Sequence, residues 1–313
     1  MITDIKISNF RGIGDLELTC LKRVNLVIGG NNVGKTSLLE AIVAAASPGL
    51  MEKLPGLFRA NSGKVAERYY KWLLRDGSSE ACIRLNGDTP AEVKLRLVYG
   101  RPQSRWDDFD VFGGISFEYS QPGNGLRSRV ASVQHRSLDS IISNFADAVR
   151  SPENEKRLEE LLFKLDPRIL SARLDLIDEE QVISLDVGLS ERMPLSQLGQ
   201  GTYRIVSILA DLMGSKPDLF LIDEIENGVH YTALPKIWRA LADIAEALDV
   251  QIFATTHSKE CLAAAIRVFH HEDPEGNRDL AVIQLMGVDG NVIARVLDEE
   301  RVNDALEIDT ELR

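Results

Sequence analysis

Residues 29–37, Gly29-Gly30-Asn31-Asn32-Val33-Gly34-Lys35-Thr36-Ser37, fit the pattern G-x-x-x-x-G-K-[ST] without a mismatch. That spacing suits chemistry on a phosphate chain. The glycines let backbone N–H groups turn toward the phosphates, and the start of a helix adds partial positive charge. Lys35 then reaches the outer phosphates, while the Thr36 hydroxyl is placed to ligate Mg²⁺. A second group with chemical potential is Asp223-Glu224, two adjacent acids closing the apolar run Leu219-Phe220-Leu221-Ile222. Beside a phosphate loop, Asp223 would hold the metal and Glu224 would take a proton from attacking water. Neighbouring side chains at a strand end point in different directions, which allows the two roles.

A third group is Thr255-Thr256-His257-Ser258, after the apolar run Val250–Ala254. The C-terminal ends of parallel strands are where α/β ligands bind, so His257 would sense a γ-phosphate or position water. A plain helix start with Ser258 as N-cap competes with this reading. Fourth, Leu195–Arg204 contains Gly199-Gln200-Gly201 and runs into a helix. Small residues at a helix start make a second anion site, so two chains sharing each nucleotide is one reading and a capped helix start the other.

The elements that must position these groups are legible in outline. Ile2–Ile7 and Asp15–Leu18 alternate as half-buried strands, and Val24–Ile28 is a buried strand feeding the loop. Ser37–Ala46 reads as the helix leaving it, stopped by Pro48-Gly49. From 195 onward a helix at Thr202–Met213, the acidic strand, a helix at Ala233–Leu248, the strand at Val250–Ala254 and a helix at Ser258–Val268 keep an α/β rhythm. Asp289-Gly290, between Ala281–Leu285 and Val292–Val296, marks a hairpin. The segment 50–189 is less regular. It carries an amphipathic helix near Ala66–Leu74, strands at Ala81–Leu85, Glu92–Tyr99 and Ile115–Tyr119, helices at Leu138–Val149 and Glu153–Leu165, and a hairpin from Ala172–Ile177 and Val182–Val187. The expected fold is α/β: one domain over 1–313, with a core from 1–49 and 190–313 and an α+β insertion at 50–189.

Composition narrows the function class. The chain has 313 residues, 44% hydrophobic and 27% charged, with a net charge of −12, the profile of an ordinary globular protein. A broad non-specific grip on DNA wants the opposite charge balance, which leaves nucleic acid to a local patch or to a partner. No apolar run approaches the length of about 18 residues that a membrane span needs, and Met1–Lys6 lacks a secretory layout. Three scattered cysteines, Cys20, Cys82 and Cys261, form no metal or disulfide pattern and fit reduced thiols in a cytoplasmic protein.

Together the motifs resemble the ATPase head shared by SMC, RecF and ABC-type proteins, and within that group the OLD-like AAA-type ATP-binding proteins. Ile5-Lys6-Ile7-Ser8-Asn9-Phe10-Arg11-Gly12 is similar to the "NFRG" opening of the group. Asp223-Glu224-Ile225-Glu226-Asn227-Gly228-Val229-His230 and Thr255–Ser258 complete the likeness, which covers about 1–46 and 190–270. The resemblance implies a P-loop fold of the ABC/SMC-head type, a mixed sheet with an antiparallel N-terminal flank. It implies that Asn31–Ser37 bind ATP phosphates with Mg²⁺ on Thr36 and Asp223, that Arg11 lies near the nucleotide, that Glu224 is catalytic and that His257 is the switch. Gly199, Gln200, Gly201 and Arg204 would form the signature loop acting across a head-to-head dimer. Aligned on Arg204, the signature serine falls at Leu198, with Ser196 two residues early, so an altered trans contact and slow hydrolysis would follow. Gln134 is the candidate for the Q-loop glutamine.

The implied function is a homo-oligomeric ATPase that regulates a separate effector, a nuclease or toxin, in antiviral defence. No TOPRIM nuclease domain and no long coiled coil accompany the motifs. A RecF-like DNA-repair ATPase is the alternative, and an ABC transporter subunit working with a membrane partner a third. ATP rather than GTP rests on the resemblance alone.

Overall fold

The chain opens with an antiparallel pair, β1 (Ile2–Phe10) and β2 (Ile13–Leu18). It then enters β3 (Val24–Ile28), which is buried at every residue. In the computed structural model, residues 1–58, 67–97, 110–112, 115–120, 125–131, 138–271, 279–297 and 302 are described. Helix α1 (Lys35–Ala46) follows the glycine loop, and a 3-10 turn beginning at Pro48 leads to the short α2 (Leu54–Leu57). Strands β4 (Glu80–Gly87), β5 (Ala91–Leu97), β6 (Asp110–Phe112) and β7 (Ile115–Tyr119) extend the first sheet, in the order β2-β1-β4-β5-β7-β6. All of its pairings are antiparallel.

The second half supplies β8 (Ser128–Ala131), α3 (Leu138–Ala148), α4 (Pro152–Leu165) and a small sheet of β9 (Ser171–Ile177), β10 (Glu180–Asp186) and β11 (Met193–Pro194). Then come α5 (Gln200–Ser215), β12 (Leu219–Ile222), α6 (Leu234–Ala247), β13 (Gln251–Thr256) and α7 (Lys259–Ile266). The hairpin β14 (Leu280–Val288) and β15 (Asn291–Leu297) closes the series. The central sheet runs β15-β14-β3-β13-β12-β8, parallel throughout except for β15. Parallel strands are covered on both faces, which is why β3, β12 and β13 read as unbroken apolar runs.

Two apolar cores lie on opposite faces of that sheet. On one face, α1 sits between the central sheet and the first sheet, packing Leu38, Leu39, Ile42 and Val43 against Val27, Phe253, Ile83 and Val93. A helix enclosed this way is covered around its whole circumference, and here only Thr36 escapes burial. On the other face α3–α7 cover the sheet around Trp238, Phe145 and Phe220.

Three expectations change. The segment near Ala66–Leu74 forms a 3-10 helix over Glu67–Leu73 rather than an amphipathic α-helix, with Leu74 bridging to Phe10; residue 66 lies outside the described residues. Its backbone is bound to the β1–β2 turn instead, since Arg11 N–H donates to Leu73 O at 2.8 Å and Arg75 N–H to Asn9 O at 2.9 Å. Second, β8 was not foreseen, and the 50–189 segment is woven into both large sheets. Ser128-Arg129-Val130-Ala131 has no apolar run of its own. It docks at the sheet edge beside β12, and Arg129 donates to the buried Asp211 of α5 at 2.8 Å. Third, Asp110–Phe112, for which no strand is expected from the sequence, forms β6 at the edge of the first sheet beside β7. The β9–β10 and β14–β15 hairpins form as expected, the latter turning on Asp289 (φ 48°) and Gly290 (φ 75°). Gln134 lies outside the described residues.

Candidate nucleotide site

The glycine loop joins β3 to α1, and its backbone takes the turns that the sequence allows. Gly29 has φ 150° and no room for a side chain, because a Cβ there would stand 2.5 Å from Leu285 O. Gly34 caps α1 with φ 96° and no side-chain cap, leaving the first-turn N–H groups facing the cavity. Lys35 is folded back over the loop, its Nζ donating to Gly29 O at 2.8 Å and Gly30 O at 2.6 Å. Burial pushes its ammonium below the usual lysine value, and the carboxylates of Asp223, Glu226 and Glu224 oppose this.

Sheet register brings the acids to the loop. Ile222 pairs with Ala254, and Thr255 pairs with Val27, so the residues just past β12 meet the end of β13 and the loop leaving β3. Asp223 accepts from Thr36 Oγ1 at 3.2 Å and from Thr255 Oγ1 at 2.6 Å. Its carboxyl is pushed above the ordinary range by burial, against which the Thr255 and Thr36 hydrogen bonds act. Glu224 adopts φ 48° and donates its backbone N–H to Thr255 Oγ1 at 2.9 Å. One threonine hydroxyl therefore aligns both acids.

The residues fit Mg²⁺ and a nucleotide. The Thr36 hydroxyl and Asp223 carboxylate converge on one point beside Lys35, a donor set that leaves room for water and phosphate oxygens. Among the described residues no cluster of three or more His, Cys, Asp or Glu could hold a metal without such help. A cavity of about 990 Å³ is lined by Arg11, the loop from Asn31 to Ser37, Asp223 and Glu224, joined by Trp72, Asp76 and the β14–β15 tip. Arg11 is held there by Glu40 of α1, with Nη2 to Oε1 at 2.9 Å.

The other expected residues lie elsewhere. His257 is anchored by Glu226, which accepts its backbone N–H at 3.0 Å and stands 3.1 Å from Nδ1. Ser258 separately caps α7, accepting from Cys261 N–H at 3.1 Å, which is the helix-start reading of this stretch. Gly199 and Gly201 border a different cavity of about 430 Å³ with Gly228 and His230. Gly199 and Gly201 thus line a different cavity from the phosphate loop of their own chain. Arg204 makes contacts within the chain. It lies on the buried face of α5 and donates to the carbonyls of Asp223 at 2.9 Å and Glu224 at 2.8 Å, a structural grip rather than a nucleotide contact within the chain. Sequence reasoning gave no role to Thr255, Glu226, Glu40 or Trp72. The first two sit inside motifs already singled out, whereas Glu40 and Trp72 carry no motif at all.

Residues 24–263 match the family described as "AAA domain, putative AbiEii toxin, Type IV TA system". The chain is similar to an "ATP/GTP phosphatase" of Helicobacter pylori, 19% identical over 87% of this chain and 90% of that protein. It also resembles the DNA replication and repair protein RecF of Geobacter metallireducens, 31% identical over 45% of this chain and 38% of that one. Among solved structures, the SMC head bound to the C-winged helix domain of ScpA superposes with a TM-score of 0.61 and 13% identity, covering 97% of this chain and 99% of that chain. That likeness establishes the fold as a P-loop head of the SMC type.

Proposed function

The chain belongs to the AAA-domain family whose match spans residues 24–263, and from that premise we propose that it is an ATPase head that closes on a second copy of itself around nucleotide and governs a separate effector protein. The observation that carries the ATPase reading is the Thr36–Asp223 contact at 3.2 Å beside Lys35, with Glu224 next on the same turn. In hydrolysis, water attacks the γ-phosphorus, the bond to the β–γ bridging oxygen breaks, and ADP and phosphate leave. Glu224 takes the proton of the attacking water. Lys35 leaves the loop carbonyls to meet the phosphates, and His257, held by Glu226, takes the role of γ-phosphate sensor. Mg²⁺, when bound at Thr36 and Asp223, offsets the negative charge of the phosphates. The relative named for ATP and GTP hydrolysis, matching over most of both chains, supports this.

The dimer reading is supported by the separation of the signature helix from its own phosphate loop: Gly199–Gly201 serve a site only if a second copy brings them there. Nucleotide would then shift heads between open and closed populations. An effector, a nuclease or toxin in antiphage defence, is supported by the toxin–antitoxin wording of the family description and by the SMC head solved with a bound partner domain. The net charge of −12 favours a protein partner over bare DNA. The RecF relative favours a second reading, an ATPase that binds DNA directly in its ATP state.

One experiment separates the readings. Neighbouring gene products are co-purified with the chain, with and without ATP, and the assembly is weighed. An ATP-dependent complex with a nuclease or toxin is expected. Tight, salt-sensitive binding of bare DNA by the isolated chain would instead establish the second reading.

A further inference from the structure

We infer that Trp72 is the stacking platform for the nucleobase, so that the site grips purine triphosphates with little distinction between adenine and guanine. The inference rests on the nucleotide site proposed above and adds what its phosphate-binding residues leave undetermined. The phosphate end of the cavity is fixed by Lys35, Thr36 and Asp223, so sugar and base must run along the remaining walls. These are the β1–β2 turn, the 3-10 segment with Trp72, and the β14–β15 tip. Among the described residues lining the cavity, Trp72 is the one aromatic side chain.

The ring is 61% exposed, a costly state for an indole, whose apolar faces gain from being covered. Its backbone is nonetheless fixed. Arg11 Nη1 donates to Trp72 O at 3.3 Å, and the Arg11 backbone N–H donates to Leu73 O at 2.8 Å. Arg11 in turn is locked to Glu40 of α1, the helix that begins with Lys35. Platform and phosphate loop are therefore tied to one helix, at a set separation. The Lys71 ammonium stands 5.0 Å from the ring centroid and occupies one face by a cation–π contact. The opposite face is left for a base. At about 990 Å³ the cavity has room for a whole nucleoside triphosphate.

Selection by a π-face separates large bases from small ones, not one donor pattern from another, because every base offers such a face. Adenine and guanine should bind alike, and cytosine more weakly.

The test measures binding of ATP, GTP, CTP and inorganic tripolyphosphate to the full chain by calorimetry, for wild type, Trp72→Ala, Trp72→Phe and Lys35→Ala. Trp72→Ala should weaken ATP and GTP together by roughly 5- to 150-fold, the range of base–aromatic stacking. Tripolyphosphate affinity should stay unchanged, and Trp72→Phe should recover most of the loss. In wild type, ATP or GTP should quench indole emission, a signal absent in Trp72→Phe. Unchanged ATP affinity in Trp72→Ala overturns the inference, as does a wild-type preference of more than tenfold between ATP and GTP. Loss of tripolyphosphate binding in Trp72→Ala also overturns it, since the residue would then be shaping the loop. If Lys35→Ala abolishes binding while Trp72→Ala does not, only the platform falls. If Lys35→Ala binds ATP normally, the nucleotide site falls with it.

Discussion

The guanidinium of Arg204 reaches from α5 to the main-chain carbonyl of Glu224 at 2.8 Å, and the same nitrogen meets the carbonyl of Asp223 at 2.9 Å. A helix that begins at Gln200, beside Gly199, thus grips the backbone of the acid pair. The grip opposes strain, because Glu224 holds φ 48°, which costs a non-glycine residue roughly 1–2 kcal/mol. Any movement of α5 would be transmitted to Glu224.

Replacing Arg204 with Met keeps the apolar stem and removes both hydrogen bonds. One buried and one part-buried carbonyl then lose a charged donor, a loss of about 3 kcal/mol from bonds of this class. Chemical denaturation should report that loss. The rate of ATP hydrolysis should fall by more than tenfold while ATP affinity stays within a few-fold, since Lys35 and its loop are untouched. A variant that hydrolyses at the wild-type rate would show that the grip does not position Glu224.

Glu224→Gln removes the proton acceptor and keeps the shape. Hydrolysis should drop by roughly 10²–10⁴-fold, the usual contribution of a positioned general base. ATP-bound dimers should accumulate and be visible by mass measurement. Normal turnover in this variant ends the assignment of Glu224 as the catalytic base.

The parts of this site that the sequence revealed are those where chemistry dictates residue type locally. The phosphate loop, Asp223-Glu224 and Thr255–Ser258 each place their groups within a few residues of a strand end, so order along the chain implied order in space. Arg204 has a contact within the chain that helical phase points to and a motif alignment does not. It shares a buried face with Ile208, Asp211 and Leu212 at i+4, i+7 and i+8, a spacing that points inward. Trp72 and β8 were hidden for a different reason. The first sits on a 3-10 segment tied to β1 through Arg11, and the second gains its strand character from docking beside β12. Both are decided by long-range contacts that no local pattern carries.

Glu226 is expected to act through His257. Its Oε1 accepts the His257 backbone N–H and lies beside Nδ1, which directs Nε2 away from Glu226. Glu226→Ala should release the ring and lower kcat by about tenfold with KM nearly constant, the pattern of an interaction used after binding. Glu226→Gln, which can still accept the backbone N–H, should recover part of the rate. Equal losses in both variants would point to the carboxylate charge rather than to ring placement.

The docking of β8 can be tested through Asp218 and Arg127. Asp218 accepts from the Arg127 backbone N–H at 2.9 Å and from its Nη2 at 2.7 Å, while Leu219, the first residue of β12, donates to Arg127 O at 3.2 Å. The Arg127 side-chain hydrogen bond holds the Asp218 carboxyl below the ordinary carboxylate range. A folded-state pKa below the unfolded one means that the ionised form is favoured by folding. The resulting stability is present above the unfolded value of about 3.9 and is lost as pH falls through the depressed folded value. The Arg127 side chain is largely solvent-facing and that of Asp218 partly so, so screening limits the pair to roughly 0.2–1 kcal/mol. Asp218→Asn should therefore lower Tm by about one or two degrees at pH 7. The gap between variant and wild type should narrow below pH 4, and also in molar salt. A gap that stays constant down to pH 2.5 would mean that the charge on Asp218 does not hold β8 to the sheet, and that the backbone pairing of Leu219–Ile222 with Ser128–Ala131 carries the edge alone.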